Sequence, residues 1–223
     1  MVSGTTDLAA LLRLLTWLSP AFPVGAFAYS GGLERAVHDG LRDAHALEDW
    51  VSGLIAHGSA WNDAVLLAQA HAGFDDANHL RDLAALAVAL SGSRERHAET
   101  LALGAAFITA ASVWQHPVFA LLAPDTAYPV AVGAVAGAHG IGLESTVAAY
   151  LHAVASQQVS AAIRLGISGQ RAGVVLLAGL ETRIADVAGR AARSTLGDLG
   201  SAAIATEIAA LRHETQTTRL FRS

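Results

Sequence analysis

Trp17-Leu18-Ser19-Pro20-Ala21-Phe22-Pro23-Val24-Gly25-Ala26-Phe27-Ala28-Tyr29-Ser30-Gly31-Gly32-Leu33-Glu34 is the stretch on which the fold class turns. Within it, Ala28-Tyr29-Ser30-Gly31-Gly32 comes close to the nucleophile elbow of an α/β hydrolase, with Ala in place of the first glycine. That elbow needs a strand before it and a helix after it. The helix is well provided for: Ser30 is a ready N-cap, and Glu34 falls in the first turn, where the helix dipole favours a carboxylate. The strand is missing, because Pro20 and Pro23 fix φ and Gly25 loosens the chain into an apolar loop of defined path. Phe22, Phe27 and Tyr29 are large enough to require burial in the fold or against a partner. Helix capping accounts for Ser30 more economically than nucleophilic catalysis does.

Outward from this loop the periodicity is helical. Leu8, Leu11, Leu12, Leu15 and Leu18 recur at three and four residues, predicting a helix from Asp7 to Leu18 that Pro20 ends. A short helix is expected over Ser30–Asp39, with Gly40 as its stop. Asp43 can cap the next, which places Leu47, Trp50, Val51, Leu54 and Ile55 on one side and meets a bend or break at Gly58. Further helices are expected over 78–90, 94–113, 145–165, about 168–193 and 202–212, with Pro129 in the first turn of another. No stretch alternates strictly enough for a half-buried strand. The expectation is an all-α, single-domain helical bundle of roughly eight to ten helices, with residues 1–6 and 213–223 mobile in the isolated chain.

Composition narrows the function. Hydrophobic residues make up 53% of the 223 residues and charged residues 15%, so the chain is globular and has apolar surface to spare for a membrane or a large protein partner. A net charge of −5 argues against nucleic acid. The absence of cysteine removes disulfides and thiolate metal sites. All fourteen basic residues are arginine, which removes a phosphate-binding P-loop and Schiff-base chemistry. No basic segment followed by an apolar run opens the chain, so no signal peptide is expected.

Three constellations invite chemistry and resolve otherwise. Ten histidines are present, but His38 and His45, His71 and His79, and His139 and His152 are all too far apart to pair on one helical turn, so no metal site is expected. Gly133, Gly137, Gly140 and Gly142 lack the dinucleotide-binding spacing and read as close helix packing. Arg94-Glu95-Arg96-His97, with Glu99 following, reads as a solvated helix face, with a docking surface as the alternative that the sequence alone does not favour. Two charge-free runs, 100–124 and 126–143, meet the length of a membrane span on paper, yet they carry Gln115, His116, Pro117 and His139 and equally suit the centre of a bundle. The alternatives are thus a small Ala/Gly-rich helical membrane protein, judged by solubility without detergent, and a serine hydrolase using Ser30, judged by a Ser30→Ala variant on ester probes.

The tail stands apart. Arg212-His213-Glu214-Thr215-Gln216-Thr217-Thr218-Arg219-Leu220-Phe221-Arg222-Ser223 has polar spacing and then a leucine and an aromatic flanked by arginines, the pattern of a segment that orders on a partner or folds back on its own domain.

These segments also carry a resemblance. The opening loop resembles the N-terminal signature of the UreF family of urease accessory proteins, which reads like SPALPVGAFSYSHGLE, and the tail is similar to the family's ending, HE…Q.TRLFRS. Between them, His139-Gly140-Ile141-Gly142-Leu143-Glu144, Tyr150-Leu151, Gln157-Gln158-Val159 and Arg164-Leu165 with Gly169-Gln170 follow the family's central segments in order. Ile167 and Ser168 stand where the family commonly has Pro-Leu, and Val174 where a second Gln often follows Gly173.

The resemblance implies an all-helical, cytoplasmic urease maturation chaperone without catalytic residues. Such proteins bind the accessory protein UreD (also called UreH) and recruit the GTPase UreG, and the assembly docks on apo-urease. No cofactor is held stably; nickel is handled by the assembled complex, often built on a homodimer, without membrane or nucleic acid. Matched residue by residue, Pro23, Gly25, Tyr29, Ser30, Gly32 and Glu34 carry the first motif, Arg164 and Gln170 the second, and His213, Glu214, Arg219, Leu220, Phe221 and Arg222 the third.

Overall fold

The computed structural model describes residues 8–223, so the expectation for residues 1–6 lies outside the described residues, as does the Asp7 end of the first helix. The α-helices run in the order α1 (Leu8–Trp17), α2 (Leu33–His38), α3 (Ala44–His57), α4 (Ser59–Ala72), α5 (Ala77–Ala89), α6 (Arg94–Ala111), α7 (Tyr128–Ala138), α8 (Leu143–Arg164), α9 (Gln170–Ala191) and α10 (Ile204–His213). Short 3₁₀ turns occupy Ala26–Ala28, Ser112–Trp114, Pro117–Ala120 and Leu196–Asp198, and no strand occurs among the described residues.

Local chemistry sets most of the boundaries. Asp43 and Asp76 each accept two backbone N–H groups at the starts of α3 and α5, and Ser93 caps α6. Gly58 breaks the predicted long helix outright: it is the C-cap of α3 and the N-cap of α4. Pro129 sits in the first turn of α7, where its missing N–H costs nothing.

α7 is the hub. Every residue from Pro129 to Gly137 is buried, which explains why this run carries no charge and no amphipathic stripe. It lies so close to α4 that a Cβ on Gly133 would stand 2.3 Å from the Leu67 carbonyl oxygen, and one on Gly137 would stand 2.4 Å from that of His71. These glycines are backbone-contact positions, as their spacing suggested. At eleven residues α7 is about 16 Å long, roughly half a bilayer core. Among the described residues no helix is long and apolar enough to cross a membrane, which removes the support for the membrane alternative.

The start of α2 departs from expectation. Gly31 and Gly32 adopt φ of +59° and +87°, so the helix begins at Leu33 rather than Ser30. A Cβ on Gly32 would lie 2.8 Å from the backbone nitrogen of Ala210, so the late start is imposed by the approach of α10.

Candidate functional site

The two motif-bearing ends of the chain meet at one place, beside the last turns of α8. The opening loop is pinned from below by two adjacent glutamines of that helix. Gln157 donates from Nε2 to the carbonyls of Ala26 and Tyr29, both at 3.0 Å. Gln158 donates to the Ser30 carbonyl at 3.0 Å while its Oε1 accepts the Trp50 indole N–H at 3.0 Å. Gly25, at φ +81°, turns the chain into the Ala26–Ala28 turn. Phe22 packs beneath, with ring centroids 5.9 Å from Phe107 and 6.4 Å from Trp114. Tyr29 is buried, Pro23 is exposed, and Phe27 stands 71% exposed at the crest of the turn.

The tail, expected to be mobile in the isolated chain, is folded back over this loop. Glu34, buried in the first turn of α2, accepts the backbone N–H groups of Leu220 at 2.7 Å and Phe221 at 3.0 Å, and faces His213 Nε2 at 3.1 Å. Backbone hydrogen bonds join Arg222 N–H to the Ala28 carbonyl at 2.8 Å and Ser30 N–H to the Ser223 carbonyl at 2.9 Å. Arg164, at the end of α8, donates to the Phe27 carbonyl at 2.5 Å and holds its guanidinium 4.2 Å above the Phe221 ring centroid. Residues alternate along this extended end: Phe221 and Ser223 are buried, while Leu220 and Arg222 face out. Backbone donors satisfied by a buried carboxylate and a ring sandwiched under an arginine are what seat a segment whose composition looks disordered.

Ser30 is spent in this clasp. Its hydroxyl donates to the Ser223 carbonyl, and its oxygen accepts the Glu34 N–H at 3.3 Å, so it is a helix-start residue, although Gly32 occupies the N-cap position itself. A 3₁₀ turn, not a strand, precedes it, and the hydrolase alternative loses its structural basis.

Below the clasp lies a buried ionic network that the residue pattern did not announce. Arg96 binds Asp63 and lies 3.6 Å from Glu99; Tyr150 donates to Asp63 at 2.8 Å; Ser223 donates to Glu99 at 3.3 Å. Burial pushes the Glu99 carboxyl above its ordinary value despite the Arg96 charge beside it. Burial, with Asp63 adding to it, also raises the Tyr150 and Tyr128 phenols, so both are neutral at physiological pH and Tyr150 is the donor to Asp63. Burial opposes the Arg96 charge, but Asp63 and Glu99 outweigh it and hold the guanidinium firmly protonated. Among the described residues no group of three or more His, Cys, Asp or Glu side chains has the arrangement of a metal site.

Thus the structure brings together Gly25, Tyr29, Ser30, Gly32, Glu34, Arg164, His213, Arg219, Leu220, Phe221 and Arg222. Glu214 lies beside them, accepting the Arg94 N–H at 2.7 Å. Gln170 is not part of the clasp: it opens α9 and is exposed. Sequence reading missed Glu95 and Glu99, whose one-turn spacing on α6 was the available signal, and Gln157 and Gln158 as the loop's props.

Adjoining the clasp, a groove of about 930 Å³ runs between α1 and α8 and is lined by Leu14, Phe22, Phe27, Ala153 and Phe221 among others. α1 offers little of its stripe to the core: Leu12 and Leu15 are 63% and 62% exposed, and Leu8 more so. Exposed apolar surface of this kind, when contiguous, marks an interaction surface or a ligand-binding groove.

Comparison with known proteins agrees with this picture. The UreF family profile matches residues 41–181. A urease accessory protein UreF of Rhizobium etli (strain CIAT 652) is 63% identical over 223 residues, covering all of both chains. The UreF of Agrobacterium fabrum is 57% identical over the same full lengths, and that of Sinorhizobium medicae 55% identical over 97% of this chain and 98% of its own. Likeness at this level over whole chains, on an all-helical body whose motif-bearing ends close on each other, leaves one conclusion: this chain belongs to the UreF family of urease accessory proteins, which serve urease maturation and are not enzymes.

Proposed function

We propose that this chain is the scaffold of a urease maturation complex, binding UreD/UreH and recruiting the GTPase UreG to apo-urease so that nickel is inserted. The observation that carries the reading is the convergence of the opening loop, Arg164 and the tail into one clasp beside an uncovered apolar groove. The clasp supplies Leu220, Arg222 and Phe27 as an exposed rim, and the α1 leucines extend it as apolar area of the kind that forms interface cores. Pro23, Gly25, Tyr29, Ser30, Gly32 and Glu34 shape the loop side, and His213, Glu214, Arg219 and Phe221 the tail side. Gln170, on the far end of the α8–α9 turn, belongs to a second contact.

GTP turnover belongs to the partner, since a chain without lysine has no P-loop. Nickel moves through the assembly and is not stored in this subunit. The complex works in the cytoplasm around a homodimer of this chain.

The test is co-purification of full-length protein with UreD/UreH and UreG, compared with a chain lacking residues 214–223, followed by urease activation in cells that lack the gene. Loss of capture and of activation at unchanged helical content is the expected result. Capture by the shortened chain at full strength would defeat the reading of the tail.

A further inference from the structure

Residues 213–219 form a short loop whose two ends are held by one side chain. Glu95 lies in the first turn of α6, nearly buried, and its two oxygens serve different parts of the tail. Oε2 faces His213 Nδ1 at 2.7 Å, and Oε1 accepts from Arg219 Nη1 at 2.6 Å. Within the loop, Gln216 N–H donates to the His213 carbonyl at 3.0 Å and Gln216 Nε2 to the Thr218 carbonyl at 2.9 Å, so the chain reverses over six residues. Glu34 does different work: it holds the other His213 nitrogen and the two backbone amides that follow the loop. The charged opening of α6 is thus a receptor for the tail and not a solvated face.

We propose that Glu95 is the positioning residue of the tail: by closing the 213–219 loop on a single carboxylate it sets the direction in which the chain leaves the loop, so that Phe221 turns inward and Leu220 and Arg222 turn outward. Loop closure supplies the reason. Two charge-assisted hydrogen bonds to one rigid helix position cost less chain entropy than two separate anchors would, and removing their shared acceptor releases Arg219 outright while leaving the His213 ring on Glu34 alone. The inference concerns how the tail is held; only its consequence for partner capture rests on the function proposed above.

The chain has no cysteine, so Thr217→Cys, at an exposed loop position, takes a single nitroxide label in the full-length protein. In that background Glu95→Gln is expected to raise the ratio of mobile to immobilised label at least tenfold with helical content and thermal midpoint little changed. Arg219→Gln is expected to give part of the same rise, and no further rise when combined with Glu95→Gln. An unchanged spectrum in Glu95→Gln overturns the proposal. Should that variant lose helical content, Arg219→Gln cuts the same contact from the solvent side: a mobile label supports the proposal and an immobile one overturns it. Capture of UreD/UreH by the same variants reports separately on function. A freed tail with full capture leaves Glu95 as positioning residue and defeats the tail's role in recruitment.

Discussion

Replacing Phe221 by alanine isolates what the tail's one buried ring contributes. The side chain is 4% exposed and lies under the Arg164 guanidinium at 4.2 Å. Burying such a ring is worth about 1.5–3 kcal/mol, and a cation–π contact at an exposed arginine adds about 0.5–1 kcal/mol. The loss is therefore about 2–4 kcal/mol, which at about 1.4 kcal/mol per tenfold multiplies the opening equilibrium of the tail by roughly 30- to 800-fold. Because the ring closes a terminal segment over the domain and does not join two core helices, the cost falls on local opening and the global transition barely moves. Native-state hydrogen exchange reads this directly. The amides of Leu220, Phe221 and Arg222, bonded to Glu34 and to the Ala28 carbonyl, should lose protection by that factor, while those in the middle of α7 keep theirs. Unchanged exchange at 220–222 would refute the reasoning, and so would a drop in protection spread evenly through α4 and α7.

Three other outcomes are expected. Gly133→Ala forces a methyl against the Leu67 carbonyl and should cost about 1–3 kcal/mol of overpacking, seen as a lowered thermal midpoint, whereas Gly179→Ala on α9, where a Cβ meets nothing within 4 Å, should leave it level or raised. Asp39 joins α2 to α10 through Arg35 and Arg212; its hydrogen bond with Arg35 draws its pKa from 3.8 to about 2, so its contribution is present above 3.8 and fades as pH falls toward 2. Thermal melts of wild type and Asp39→Asn should accordingly differ at pH 5–7 and converge on acidification. Leu12→Glu with Leu15→Glu, both exposed on α1, should change stability by no more than about 0.5 kcal/mol while weakening capture of the partner that covers that helix, measured by co-purification.

The helices were legible because their causes are local. Asp43 before the Leu47–Ile55 stripe, Pro129 ahead of an apolar run and Gly73 behind one are signals a single strand of sequence carries. Even α7, whose uniform apolarity fits either a bundle centre or a bilayer, is bounded by Pro129 and Gly140 at a length that only the first allows. The start of α2 was legible only in part: the Gly31-Gly32 pair can be read, but the close passage of Ala210, 178 positions away in the chain, which keeps Gly32 a glycine, cannot. Nothing near Ser30 records that approach.

The site was half legible for a different reason. Pro23, Gly25, Phe22 and Tyr29 announce a stiff loop through residue type alone, but the groups that hold the tail to it are backbone amides, which every residue owns and no composition reveals. Residues 212–219 hold no apolar side chain, and Leu220 and Phe221 stand alone beyond them, so reading by hydrophobicity returns a free terminus. What that reading omits is the convergence of Glu34 and Glu95 from two helices on His213, and of Glu99 on Ser223. A terminus held by carboxylates around one buried ring differs in kind from one held by a greasy plug alone. Its polar contacts are directional and local, so opening them is expected to leave the packing of α4, α7 and α8 in place. For the scaffold proposed above, a polar clasp over an apolar groove would let one face rearrange without unfolding the body that carries it.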